Sequence, residues 1–163
     1  MASQNCFRIV IPTLIMALML TMWPLPDWLE YARPEWVVLV MIYWALAMPE
    51  QVGVTVAWVV GLFLDVSHGA IIGQHALGLV VVTYVISTQY QRIRVFSLAQ
   101  QALVVLLLLL VKRLLVLWVD GMVGTAPDIG WYFLPALTGA IVWPWLFIVL
   151  RDLRRRFTVS RNF

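Results

Sequence analysis

The sequence predicts an all-α membrane protein of six transmembrane helices, built as a single integral membrane domain over residues 1–163. Three observations predict it. Hydrophobic residues make up 63% of the 163 positions and charged residues only 12%, with a mean hydropathy of +0.94. The apolar residues fall into six long stretches. The positive charges gather at alternate connections between them. A soluble domain is nearer half apolar and a quarter charged, so this much apolar surface has to face lipid or other membrane helices. The length fits one domain.

The first stretch runs from Phe7 to Trp23. Arg8, near its start, precedes an apolar run, as in a secretory signal. It is too long for a typical signal h-region, however, and Trp23-Pro24-Leu25-Pro26 offers no small-residue cleavage site, so it is expected to be a retained helix. The second and third, Trp36–Met48 and Val52–Val66, are short and are parted by Pro49-Glu50-Gln51. Ala70–Thr88, Leu98–Val119 and Trp131–Leu150 complete the set. A spanning helix needs about 20 apolar residues, which the first, fourth, fifth and sixth approach. The second and third are together too long and apolar for an interfacial loop, which favours six crossings over four.

Charge supplies the topology. With a cytoplasmic amino terminus and six crossings, Arg8, Arg92, Arg94, Arg151, Arg154, Arg155, Arg156 and Arg161 all fall inside. Arg33 alone falls outside, and Lys112 and Arg113 lie within the fifth segment. That is the positive-inside bias of an inner-membrane protein with both termini in the cytoplasm and a basic tail over 151–163. Trp23, Trp28, Tyr31 and Trp36 mark one outer boundary, and Trp118, Trp131 and Tyr132 another. The arginines directly follow an apolar segment rather than forming a basic face with exposed aromatics, so nucleic-acid binding is not expected. The tail is expected to anchor the topology, with membrane lipids or a cytoplasmic protein as its other partners.

Few residues carry chemistry. Cys6 stands alone, which excludes an internal disulfide and a thiolate zinc cluster. Gly53, Ala57, Gly61 and Asp65 recur every fourth residue along one helix face, and small residues so spaced let helix backbones approach in lipid. Gly69 and Gly73 follow where the fourth helix opens and predict a tight turn. Asp65 is costly at membrane depth. It lies thirteen residues beyond Val52, while Lys112 and Arg113 lie fourteen and fifteen beyond Leu98. At about 1.5 Å per residue all three reach a similar depth, so Asp65 is expected to pair with Lys112 or Arg113, or else to mark the outer interface. His68 and His75 are two histidines where a metal site wants three or four convergent ligands. Asp65, Ser67 and His68 crowd one helical turn and are not expected to converge as a triad. Gly69 and Gly73 lack the Lys-Ser/Thr of a phosphate loop. No catalytic, cofactor or metal site is expected, and the chain is not expected to be an enzyme.

Four features in order resemble the bacterial MreD family of rod-shape-determining proteins. They are Arg33-Pro34-x-Trp36 with Tyr43-Trp44-x-Leu46-Ala47-x-Pro49, then Gly61-Leu62-x-Leu64-Asp65 with Gly69 and Gly73. Trp143-Pro144-Trp145 and the basic carboxy-terminal end complete them. Gln100-Gln101-Ala102-Leu103-Val104-Val105 is similar to the proteobacterial members, and the Lys112-Arg113 pair departs from the family pattern. The resemblance implies a non-enzymatic scaffold of the cell-elongation machinery that supports lateral peptidoglycan synthesis. It implies a single-span MreC-like partner and, through it, an MreB-like filament, a RodA-like glycosyltransferase and a penicillin-binding transpeptidase. It also implies a fold like the six-helix substrate-binding subunit of energy-coupling-factor vitamin transporters. From that comes an alternative function, binding a vitamin-type molecule or lipid precursor for transport at an outer pocket near Asp65 and the helix-four glycines, with His75 among the candidate partner or pocket residues. The first stretch, with Ala17 alone and Pro12 early, lacks the small-residue motif by which such subunits meet their coupling partner.

Overall fold

A computed structural model of the chain describes the backbone of residues 2–159 and the side chains of residues 7–157. Cys6 and Arg161 therefore lie outside the described side chains. The described residues are helical and contain no strand. Six helices dominate: α1 (Ala2–Met22), α3 (Trp36–Ala47), α4 (Val54–His68), α5 (Gln74–Ile93), α6 (Leu98–Val123) and α8 (Leu134–Val159). Single turns α2 (Asp27–Glu30) and α7 (Ile129–Tyr132) sit in the connections before α3 and α8.

α3 is the centre. Its residues Val37–Leu46 are all buried, and α1, α5, α6 and α8 pack around it, while α4 packs on α5. An apolar helix with no amphipathic stripe is one buried on every side. α3 is 12 residues long, about 18 Å at the α-helical rise. The last carbonyls of a helix have no partners within it. Arg94 supplies them at the carboxy end, donating from Nε to the Leu46 carbonyl at 2.8 Å and from Nη2 to Ala47 at 2.7 Å. Trp44 ties α3 to α1 by donating its indole N–H to Thr13 Oγ1 at 2.9 Å.

Two helices are long and apolar enough to cross a membrane, α6 over Leu98–Val123 and the stretch Ile129–Phe157, which takes in α7 and most of α8. Phe7–Met22, Trp36–Ala47 and Val54–His68 are shorter apolar helices. α6 opens on a capping box, in which Ser97 Oγ accepts from the Gln100 N–H and Gln100 Oε1 accepts from the Ser97 N–H. α8 continues as helix past Leu150 through Arg151–Phe157, so this part of the basic tail is a rigid extension. α5 begins at Gln74 rather than Ala70. Gly69 closes α4 with φ +62° and Gly73 opens α5 with φ +101°, so the turn at the two glycines takes up the first residues of the fourth apolar stretch.

Close approach at small residues sets the helix crossings. A Cβ on Gly61 would lie 2.9 Å from the Ala76 Cβ and closer still to its Cα, so α4 and α5 meet backbone to backbone there. Gly78 admits the Lys112 side chain between α5 and α6, and Gly139 admits Leu109 between α8 and α6.

Candidate functional site

The carboxy ends of α1, α4 and α6 meet the amino ends of α3, α5 and α8 around a cavity of about 820 Å³. Two polar clusters are built into this end.

The first belongs to α4 and α5. Asp65 is fully buried on the α4 face toward α5. Its carboxylate accepts the backbone N–H of Gly73 at 2.8 Å and of His75 at 2.7 Å, and His75 Nδ1 lies 3.0 Å from Oδ1. The first N–H groups of a helix have no partner within it, and a carboxylate there also meets the positive end of the helix dipole. Asp65 therefore caps α5 from the neighbouring helix. His75, turned toward the carboxylate by its Nδ1, stacks on His68 with ring centroids 5.1 Å apart. Gln74 extends the tie to α6, donating to Asp120 Oδ1 at 2.6 Å and to the Val116 carbonyl at 3.2 Å.

The second cluster joins three elements. Glu35, in the connector just ahead of α3, receives Lys112 Nζ on one oxygen and Arg113 Nε on the other, the latter at 2.7 Å. Arg113 also donates to the Tyr132 carbonyl and lies over the Tyr132 ring at 4.8 Å, while the Tyr132 hydroxyl returns a bond to the Arg113 carbonyl at 3.0 Å. Lys112 is buried, and its aliphatic stem fills the space beside Gly78. Burial pushes the Glu35 carboxyl up, but Lys112 and Arg113 pull it down further, to about 2. Arg33, close by, donates to the Thr21 carbonyl and to Trp23 at 2.5 Å, and so closes the end of α1.

The family model described as rod shape-determining protein MreD matches residues 1–153. The chain belongs to the MreD family. A rod shape-determining protein MreD from Haemophilus influenzae (strain ATCC 51907 / DSM 11121 / KW20 / Rd) is 34% identical over 142 residues, covering 87% of this chain and 88% of that one. No solved structure matches. MreD membership places the chain in the determination of rod shape.

The geometry of this MreD-family chain corrects one expectation. Asp65 pairs with neither Lys112 nor Arg113. Depth along the helix axis, taken from residue counts, is only one coordinate. The direction each side chain faces is the other, and it turns Asp65 onto α5 while both cations turn onto Glu35. Sequence reasoning misses Glu35, which occupies the x of Arg33-Pro34-x-Trp36. The signal available was a lone carboxylate directly before a wholly apolar helix, where a buried helix start calls for a charge partner. Asp65, Gly61, Gly69, Gly73 and His75 come together at the α4–α5 reversal, whereas Lys112 and Arg113 do not join them directly. Arg33, Pro34, Gly69, His75, Lys112 and Arg113 all border the cavity. Among the described residues no three His, Cys, Asp or Glu side chains are grouped as for a metal ion.

Proposed function

We propose that the chain is a non-enzymatic inner-membrane scaffold of the rod-shape machinery. It crosses the membrane six times with both termini in the cytoplasm, as one domain, and binds an MreC-like single-span protein in support of lateral peptidoglycan synthesis. Links to an MreB-like filament, a RodA-like glycosyltransferase and a penicillin-binding transpeptidase run through that partner. The single observation that carries the reading is where the interior charges go. Glu35, Lys112 and Arg113 join three elements, Asp65 joins two helices, and Arg33 and Arg94 close helix ends. Charges in a membrane bundle pair with one another or with backbone groups, and here each is used to join elements or close a helix end. The outward faces stay apolar, with Ile15, Met19, Phe63, Leu107, Leu114 and Ile141 exposed, as lipid and a partner helix require. Six crossings are supported by the way α1, α4 and α6 end where α3, α5 and α8 begin. The short α3 fits because protein, not lipid, surrounds it.

Gentle-detergent affinity purification with mass spectrometry tests the scaffold. Recovery of a single-span MreC-like protein is expected, and its absence beside a retained metabolite would reject the reading. Cysteine labelling in intact cells tests the topology, and a periplasmic carboxy terminus would overturn it.

A second reading is favoured by the cavity itself. At about 820 Å³ it falls within the size range of small-molecule sites, about 300–1,000 Å³, and His68, Gly69 and His75 border it. In that case His75, Arg33 and the Glu35 cluster would face a small molecule or lipid precursor.

A further inference from the structure

A smaller cavity, of about 220 Å³, opens at the opposite end of the bundle. Tyr43, Arg94, Gln101, Arg151, Arg154 and Arg155 line it. The arginines come from two separate regions of the chain, the α5–α6 connector and the extension of α8, and no carboxylate lies among the lining residues. Tyr43 and Gln101 form a buried floor, and the arginines are the exposed rim. Two contacts hold that rim in place. Arg94 is fixed by the α3 carbonyls it caps, and Arg151 Nε lies 3.7 Å from Asp152 Oδ1. Gln101 donates from Nε2 to the Ile93 and Phe96 carbonyls and keeps a buried Oε1 without a protein partner. On the α8 stripe that leads to Arg155 lie the exposed apolar residues Leu137, Ile141 and Ile148.

We propose that this cavity seats the phosphodiester headgroup of one anionic phospholipid, with the guanidinium groups on the phosphate, a headgroup hydroxyl on Gln101 Oε1, and the acyl chains along the apolar flank of α8. The chemistry follows from the parts. Guanidinium groups bind phosphate oxygens through paired N–H donors, and basic pockets between membrane helices are suited to anionic headgroups. An unpartnered buried acceptor calls for a donor, which a hydroxyl-bearing headgroup has. A cavity several times the roughly 30 Å³ share of one water in liquid has room for such a group. The inference rests on the membrane placement proposed above, but its test does not depend on which side the cavity faces.

Native mass spectrometry of the full chain in detergent would measure binding of phosphatidylglycerol, phosphatidylcholine, glycerol 3-phosphate and inorganic phosphate. Phosphatidylglycerol should bind at least tenfold more tightly than phosphatidylcholine. Arg154→Gln with Arg155→Gln should cost about tenfold, whereas Arg8→Gln with Arg92→Gln, the same loss of charge elsewhere, should change binding less than twofold. Arg151→Gln with Arg155→Gln should show the same loss if the first pair proves unstable. Equal losses in the two charge-matched pairs would overturn the site in favour of diffuse attraction. Equal binding of phosphatidylcholine would overturn the headgroup chemistry. Tight binding of glycerol 3-phosphate or phosphate in place of the lipid would overturn the lipid as its source.

Discussion

Removing the Glu35 carboxylate should destabilise the bundle more than removing any exposed acid. Glu35→Ala leaves Lys112, only 4% exposed, without the oxygen it donates to, and leaves Arg113 with the Tyr132 carbonyl and ring alone. Breaking a buried ion pair from one side costs about 3–5 kcal/mol, because a charge remains uncompensated. For a chain of this size each kcal/mol moves the melting temperature by about 2–4 °C, so a fall of roughly 6–20 °C is expected. The assay is thermal unfolding of the detergent-purified protein, followed by size-exclusion, with Glu50→Ala in an exposed turn as the control. Exchanging the pair, Glu35→Lys with Lys112→Glu, should recover part of the loss. Exchanging Asp65→Lys with Lys112→Asp should recover none. A melting temperature for Glu35→Ala within about 2 °C of the control, below the shift that 1 kcal/mol gives, would refute the reasoning. So would rescue by the Asp65 exchange.

Gly61→Ala places a methyl group against the Ala76 backbone, where no side-chain rotation relieves it. Overpacking of this kind costs about 1–3 kcal/mol, and a thermal shift measured with and without Ala76→Gly should show only partial rescue, since the Cα clash remains. Asp65→Asn keeps the shape but removes the charge that meets three donors. Charge-assisted bonds contribute about 1.5–3 kcal/mol each when lost, and hydrogen exchange at the Gly73 and His75 amides should rise well above that of the α6 interior. Gly73→Ala forces φ +101° on a residue with a Cβ, a strain of about 1–2 kcal/mol, visible as a lower melting temperature with no change in helix content by circular dichroism. The Glu35 carboxyl is held below its ordinary value of 4.5, at about 2. Its stabilisation is therefore complete above pH 4.5 and is lost as the pH falls toward 2, so Glu35→Gln should flatten the decline in melting temperature across that window.

Much of the fold was legible because lipid imposes its own pattern. Apolar stretches, proline-rich breaks and arginine placement located six helices, since each depends on local composition and length. The α4–α5 reversal was partly legible, because Gly69 and Gly73 are the residues a left-handed backbone selects. The start of α5 was not, because two positive-φ glycines turn an apolar run that could equally have been helix. Short α3 looked marginal as a span for the same reason: composition shows how apolar a segment is but not what surrounds it.

The sequence by itself determined that this is an all-helical chain with an apolar exterior, and its ordered motifs pointed to the MreD family. Only the tertiary structure decided which charges meet. Helical periodicity sets the height and face of a residue on its own helix, but the rotation of one helix against another comes from packing at Gly61, Gly78 and Gly139. That rotation turns Asp65 onto the start of α5 and gives Lys112 and Arg113 to Glu35, 77 and 78 residues away along the chain.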